Sequence, residues 1–183
     1  MAFQPLLISW YGKSEVRTLH EVEWQGGVPQ LAGLSLLCGF YANELLLRAL
    51  PREDSYPELF AHYAHLIGQL AQNSPPAALL RAFEWQLLNA LGYGFNLSHD
   101  AEFNQALEPA QWYRYVPAKG AVKVSHGRSS GPQDIRVLGQ TLLDLAGQQL
   151  NSPESKQQAK QLLKALLQYH IGDTPLHTPQ LLR

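Results

Sequence analysis

Residues 83–100 read FEWQLLNALGYGFNLSHD, and the way their periodicity breaks decides the fold. Leu79, Leu80, Phe83, Leu87, Leu88 and Leu91 recur at spacings of three and four, which marks one face of a helix. Gly92 follows directly. A helix ends most easily on a residue that takes positive φ without a Cβ clash. The pattern therefore predicts a helix from about Ala77 to Leu91 that stops at Gly92, with Gly94 permitting a tight turn. Tyr93 and Phe95 are expected to fold back onto the helices, and His99-Asp100 to fall in a loop.

Upstream, two further helices are expected. Leu31, Leu34, Leu37, Cys38, Tyr41, Leu45 and Ala49 share a helical face, and Pro51 closes that segment. Ser55-Tyr56-Pro57-Glu58 opens the next helix. There Ser55 reads as N-cap, Pro57 as a first-turn residue and Glu58 as the partner three residues on. Its apolar stripe is Leu59, Phe60, Tyr63, Leu66, Ile67 and Leu70. Near the N-terminus, Leu6–Trp10 and Glu15–Trp24 alternate around Tyr11-Gly12-Lys13-Ser14, which predicts a β-hairpin.

Downstream of the opening stretch, residues 99–111 are polar and loop-like. Trp112–Val116 and Ala121–Val124 flank Pro117-Ala118-Lys119-Gly120 as a second hairpin. After a loop at 126–132, helices are expected near 135–149 and 153–170, the latter capped by Ser152 and ended by Ile171-Gly172. The expected fold class is mainly α: a helical bundle with a small β-hairpin excursion, preceded by a β-hairpin.

Composition narrows the function. The 183 residues are 45% hydrophobic, enough for one sizeable core. The 14 Lys and Arg nearly balance the 15 Asp and Glu, so there is no global basic excess of the kind that marks a nucleic-acid binder. A local basic face remains possible. A single cysteine, Cys38 in the apolar run LSLLCGF, excludes an internal disulfide and a Cys-rich zinc module. No basic-then-apolar leader opens the chain, and no uncharged apolar run is long enough to cross a bilayer. Phosphate-binding Gly loops and nucleophile elbows are absent too, so no enzyme is expected.

Three sets of side chains merit a functional reading. An adjacent His99-Asp100 pair, with His62 and His65 on a helix, resembles the ligands of metal-dependent phosphohydrolases. The pair lies in a loop and the spacing is unspecific, so a metal site is not favoured. Arg81 interrupts the apolar run LLRAF, and Arg48 ends an apolar helix. Each is either a solvated arginine paired one turn away or a cation at the rim of an apolar groove, ready for a carboxylate. The hairpin WYRYVPAKGAVK, residues 112–123, interleaves aromatics with Arg114, Lys119 and Lys123. Such a surface can stack bases and neutralise phosphates, or simply pack its aromatics inward.

Taken in order, ALLRAFEWQLLNALGYGFNLSHD, GFYANELLLRAL, the YRY…KG hairpin and YHIGDTPLHTPQLL resemble the RecO family of bacterial recombination mediators. The opening QPLLISWYGKSEVRTLHEVE resembles the last strands of that family's OB domain, so residues 1–28 would be a partial OB-fold remnant and 29–183 the helical domain. The resemblance implies a non-enzymatic protein that binds single- and double-stranded DNA and anneals strands. It also implies binding to the acidic, Phe-ended tail of single-strand-binding protein (SSB), and help to RecR in loading RecA. Arg81 matches the family arginine that meets the SSB tail, with Arg48 as a second candidate; Lys13, Arg17, Arg114, Lys119 and Lys123 are the expected nucleic-acid contacts. Many members carry a zinc site of two Cys-x-x-Cys pairs in the region after the GYG turn. Residues 96–130 hold no cysteine, so neither zinc nor any other cofactor is expected. The chain would lack the earlier OB strands, which implies weak DNA binding with SSB-tail binding retained. Without a leader or a membrane-spanning run, a cytoplasmic, nucleoid-associated location is expected. The competing expectation is a helical adaptor that binds proteins and not DNA.

Overall fold

The computed structural model describes residues 2–94, 96–124, 135–172 and 176–178. Within them the chain is mainly helical, with a two-stranded sheet at the start and a three-stranded sheet in the second half. The helical core is assembled first by α1 (Gly33–Ala49), α2 (Pro57–Ala71) and α3 (Pro76–Ala90). Helix α1 buries Cys38, Ala42 and Leu45, with Leu31 packed just before it, whereas Leu34 is exposed. Pro51 ends α1 through its neighbour: Leu50 is extended, at ψ 129, because a residue before proline is driven out of the helical region.

The same rule corrects the start of α2. Its N-cap is Tyr56 and not Ser55, and no side chain caps it. Pro57 takes the first helical position with its fixed φ, and forces Tyr56 to φ −126 and ψ 66. Leu59, Leu66, Ile67 and Leu70 are buried as expected, but Phe60 points outward at 70% exposure.

Helix α3 stops where the opening stretch predicts. Gly92 has φ +80, and the N–H groups of Tyr93 and Gly92 donate to Leu88 O and Asn89 O at 2.8 and 2.9 Å. These two bonds are the Schellman pattern that satisfies the last carbonyls of a helix. Gly94 is required by close approach, since a Cβ there would lie 1.6 Å from Asn89 Oδ1. Tyr93 folds back as expected and stacks on His170, with ring centroids 3.9 Å apart. Phe95 lies outside the described residues.

The expected helix over 135–149 is two elements. Ile135–Leu138 form β5, and only then does α4 (Gly139–Ala146) begin. Strand β5 pairs antiparallel with β3 (Trp112–Val116), which also pairs with β4 (Gly120–Lys123), so β3 is central. Ile135 and Val137 alternate as a strand, yet they run without punctuation into the helical spacing of Leu142 and Leu145, and the two patterns merge. Gly139 makes the turn possible: a Cβ there would lie 2.1 Å from Glu108 O. That approach lets Gly139 N and Gln140 N donate to Gln111 O and Pro109 O at 2.8 and 2.9 Å.

Helix α5 (Pro153–Ile171) begins with the predicted cap, Ser152 Oγ accepting from Ser155 N at 3.0 Å, and ends at Gly172 with φ +108. It lays Ala159, Leu162, Leu163, Leu166 and Leu167 into the core that α1, α2 and α3 share, joined by Tyr113 and Tyr115 from the inner face of β3.

The N-terminal hairpin contrasts with this core. Strands β1 (Leu6–Tyr11) and β2 (Thr18–Trp24) pair with a bulge between Ser9 and Trp10, and every residue of both is exposed. Two surface ion pairs, Arg17–Glu53 at 3.0 Å and Arg52–Glu15 at 3.1 Å, link its turn to the α1–α2 loop. At its base Phe3 packs edge-on against Phe40, beside Gly39.

Candidate functional site

Arg81 lies on the side of α3 that meets α1. Its guanidinium pairs with Glu84, one turn on, and Tyr41 of α1 donates to the same carboxylate oxygen, Oε1, at 2.6 Å. The pairing one turn away is present, but the solvated arginine is not: the Arg81 side chain is only 13% exposed and Glu84 is wholly buried. Glu84 Oε2 has no hydrogen-bond partner among the described residues. Burial pushes the Glu84 carboxyl above the ordinary carboxylate value, against the opposing pull of Arg81 and Tyr41. Burial, and next the Glu84 charge, push the Tyr41 phenol up as well.

Arg48 has a similar arrangement two turns along α1. It pairs with Glu44 at 2.7 Å, and Glu44 also accepts from His177 N, Thr178 N and Thr178 Oγ1 at 2.7, 2.9 and 2.7 Å. Burial raises the Glu44 carboxyl, yet these hydrogen bonds and the Arg48 charge outweigh it and hold the group below its usual value. Glu44 and Arg48 thus fasten the 176–178 segment to the bundle.

Positions 41, 44 and 48 fall on one face of α1 at 100° per residue. An apolar groove of about 460 Å³ opens on the opposite stripe, lined from α1 by Asn43, Leu46, Leu47 and Leu50, and from α2 by Leu59, Phe60 and Tyr63. Neither arginine lines it. The sequence expectation of an arginine at the rim of an apolar groove is therefore not met by this groove; the two arginines share the α1–α3 side.

The nucleic-acid candidates are dispersed. Lys13 is exposed in the first hairpin's turn, and Arg17 is paired with Glu53. Lys119 pairs with Glu102 at 3.2 Å and Lys123 with Glu108 at 2.7 Å. Arg114 lies mid-strand in β3, on the face opposite Tyr113 and Tyr115, directly across from Arg136 of β5. Sequence reasoning missed Arg136 because its strand was taken for helix. It also missed Glu84 and Tyr41, although Glu84 stands at the i+3 distance from Arg81 that allows pairing.

His99 makes an isolated antiparallel bridge with Ala106, and Asp100 stands just before the turn at 101–103. The Asp100 carboxylate accepts from the N–H groups of Phe103, Gln105 and Glu102 at 2.7, 2.7 and 3.0 Å. The Phe103 N–H foremost, then burial in opposition, then the other amides set its pKa below the usual carboxylate value. His99 Nδ1 faces Ser98 Oγ at 2.9 Å, and His62 and His65 are exposed on α2. Among the described residues no three His, Cys, Asp or Glu side chains gather where they could hold a metal. No described helix is long and apolar enough to cross a membrane.

The family model for the C-terminal part of recombination protein O matches residues 31–180. This chain belongs to the RecO family. The DNA repair protein RecO of Nitrosospira multiformis is 44% identical over 182 residues, which takes in the whole chain and 74% of that relative. The RecO proteins of an Azoarcus species and of Dechloromonas aromatica are 43% and 44% identical, each with 75% of its length covered. The RecO match begins at Leu31, the first core residue before α1, and spans the α1–α3 seam and the three-stranded sheet. The RecO resemblance in the sequence is thus shown, together with the helical fold class and a place in DNA repair.

Proposed function

We propose that this RecO-family chain works as a non-enzymatic recombination mediator. It binds the acidic, Phe-ended tail of SSB, contacts single- and double-stranded DNA, anneals strands, and helps RecR load RecA. In this reading residues 1–28 are the last strands of an OB-type domain, residues 29–183 are the helical domain, and the protein works in the cytoplasm at the nucleoid.

The observation that carries the tail-binding half is the state of Arg81. A guanidinium has five N–H donors in a planar fork. Glu84 is met through one Arg81 nitrogen, Nη2, so a tail carboxylate can be accepted alongside. Arg48, the second candidate, lies on the same side of α1, where Glu44 holds it.

Anisotropy titration with a labelled acidic peptide ending in Phe tests this. Arg81→Gln should lower affinity by about tenfold or more, as for removal of one partner of a buried charged hydrogen bond. Phe60→Ala, in the opposite groove, should change it by less than about twofold. An unchanged affinity for Arg81→Gln would sink the tail assignment, and a loss confined to Phe60→Ala would move the tail into the α1–α2 groove. Absence of any salt-sensitive DNA binding by the chain would favour the protein-only adaptor.

A further inference from the structure

The three-stranded sheet has an inner face of Tyr113, Tyr115 and Val137, all buried in the core. Its other face carries Trp112, Arg114 and Val116 along β3, because alternate residues of a strand share a side. The register sets the exposed Arg136 on one side of Arg114 and Val122 on the other, where Val122 is buried, and Leu138 beside Trp112, so the accessible part of this face is the β3–β5 side. Arg114 and Arg136 are direct cross-strand partners, which sets their Cβ atoms about 5 Å apart. Like charges placed directly opposite oppose pairing; here Arg114 stands on the central strand and Arg136, exposed, on the edge strand β5. One residue pair along, the indole of Trp112 is 40% exposed.

We propose that this outer face binds single-stranded nucleic acid, with Arg114 and Arg136 gripping one phosphate between them and Trp112 stacking an adjacent base. The inference rests on the DNA-binding reading above and names its site. Two arginines in direct register on neighbouring strands can bring their guanidiniums to the several oxygens of one phosphate. Each has five N–H donors, so an internal contact made by Arg114 leaves others for the ligand. The spacing between Trp112 and the arginines is one strand repeat, roughly 7 Å, the scale on which a nucleotide's base is offset from its neighbouring phosphate. An acidic peptide would use the arginines but has no systematic use for an exposed indole beside them. Lys119 and Lys123, the sequence candidates on the same hairpin, are already matched by Glu102 and Glu108, and the register sets Lys123 on the side of Tyr113, away from Arg114.

The test is anisotropy of the full chain with a labelled oligothymidylate over a salt series, with polyglutamate as the competing anion. Arg136→Gln should weaken binding several-fold and lower the slope of log affinity against log salt by about one. Trp112→Ala should weaken it by about tenfold with the slope unchanged, since stacking carries no charge. Lys123→Gln, already neutralised by Glu108, should alter neither by more than about twofold. Circular dichroism identifies any variant that has unfolded, and Trp112→Leu then replaces Trp112→Ala. If the unaltered chain binds but Arg136→Gln and both Trp112 variants bind equally well, this site is wrong while DNA binding stands. If the unaltered chain does not bind oligothymidylate, both readings fall. If polyglutamate binds as tightly and Trp112→Ala has no effect on it or on the oligonucleotide, the face belongs to an acidic protein partner instead.

Discussion

Glu84 is the residue whose position the sequence least announced. A glutamate in LLRAFEWQLL reads as an exposed break in an apolar helix, but it is wholly buried and shares its Oε1 between Arg81 and Tyr41. Its location follows from helix geometry, since an i+3 spacing brings it to Arg81 on the side that faces α1. A carboxyl whose folded pKa is raised binds its proton more readily in the folded state. Its stabilising share is therefore full below the unfolded value near pH 4.3 and is lost as pH rises through the folded value. Asp100 and Glu44 have the opposite sign: with lowered folded values, they stabilise above the unfolded pKa and lose that as pH falls. Wild type is thus expected to lose stability relative to Glu84→Gln as pH rises from 4 to 7. Urea midpoints of the two proteins at both pH values check this; a constant difference would show that Glu84 keeps its ordinary pKa. Arg81 itself was visible as a candidate from the sequence, but its near-complete burial was not.

At the level of elements, the two hairpins and most caps were read correctly, while one cap overridden by a neighbouring proline and one strand that runs straight into a helix were not. Gly92 and the GYG turn ended α3 through two defined hydrogen bonds, and Ser152 capped α5. Removing the Ser152 hydroxyl by Ser152→Ala should cost about 1 kcal/mol, measured as a shift in urea midpoint with unchanged slope. Ser55 failed as a cap because Pro57 moves the helix start one residue on. Strand β5 failed because Ile135 and Val137 merge with the spacing of α4, and only pairing with β3 separates them. Gly139 marks that junction. Gly139→Ala would set a Cβ 2.1 Å from the Glu108 carbonyl oxygen, and the displacement should cost about 1–3 kcal/mol, readable in the same denaturation experiment.

For the molecule as a whole, stability is unevenly distributed. The core shared by α1, α2, α3 and α5 holds nearly all the fully buried leucines, while β1 and β2 have no buried residue. The hairpin is held by its own ladder, the packing of Phe3 and two exposed ion pairs, and such ion pairs contribute at most about 1 kcal/mol each. Amide exchange should therefore be much faster in residues 6–24 than in α3 and α5, as expected where few apolar contacts oppose local opening. Equal protection in both regions would show that something covers the hairpin in solution.

The sequence by itself determined the class of the fold, five of whose segment boundaries rest on proline, glycine and serine acting on their immediate neighbours: Pro51, Pro57, Gly92, Ser152 and Gly172. These residues act through local backbone sterics and capping, which need no knowledge of the rest of the chain. It also singled out the arginines, because a charge inside an apolar run is conspicuous. Only the tertiary structure decided what those charges meet. Tyr41 of α1 reaches across to the Glu84 that holds Arg81, Glu44 ties Arg48 to residues 176–178, and Arg136 comes opposite Arg114 through strand pairing. Burial and cross-strand register are properties of contacts between distant segments, and a local pattern does not carry them.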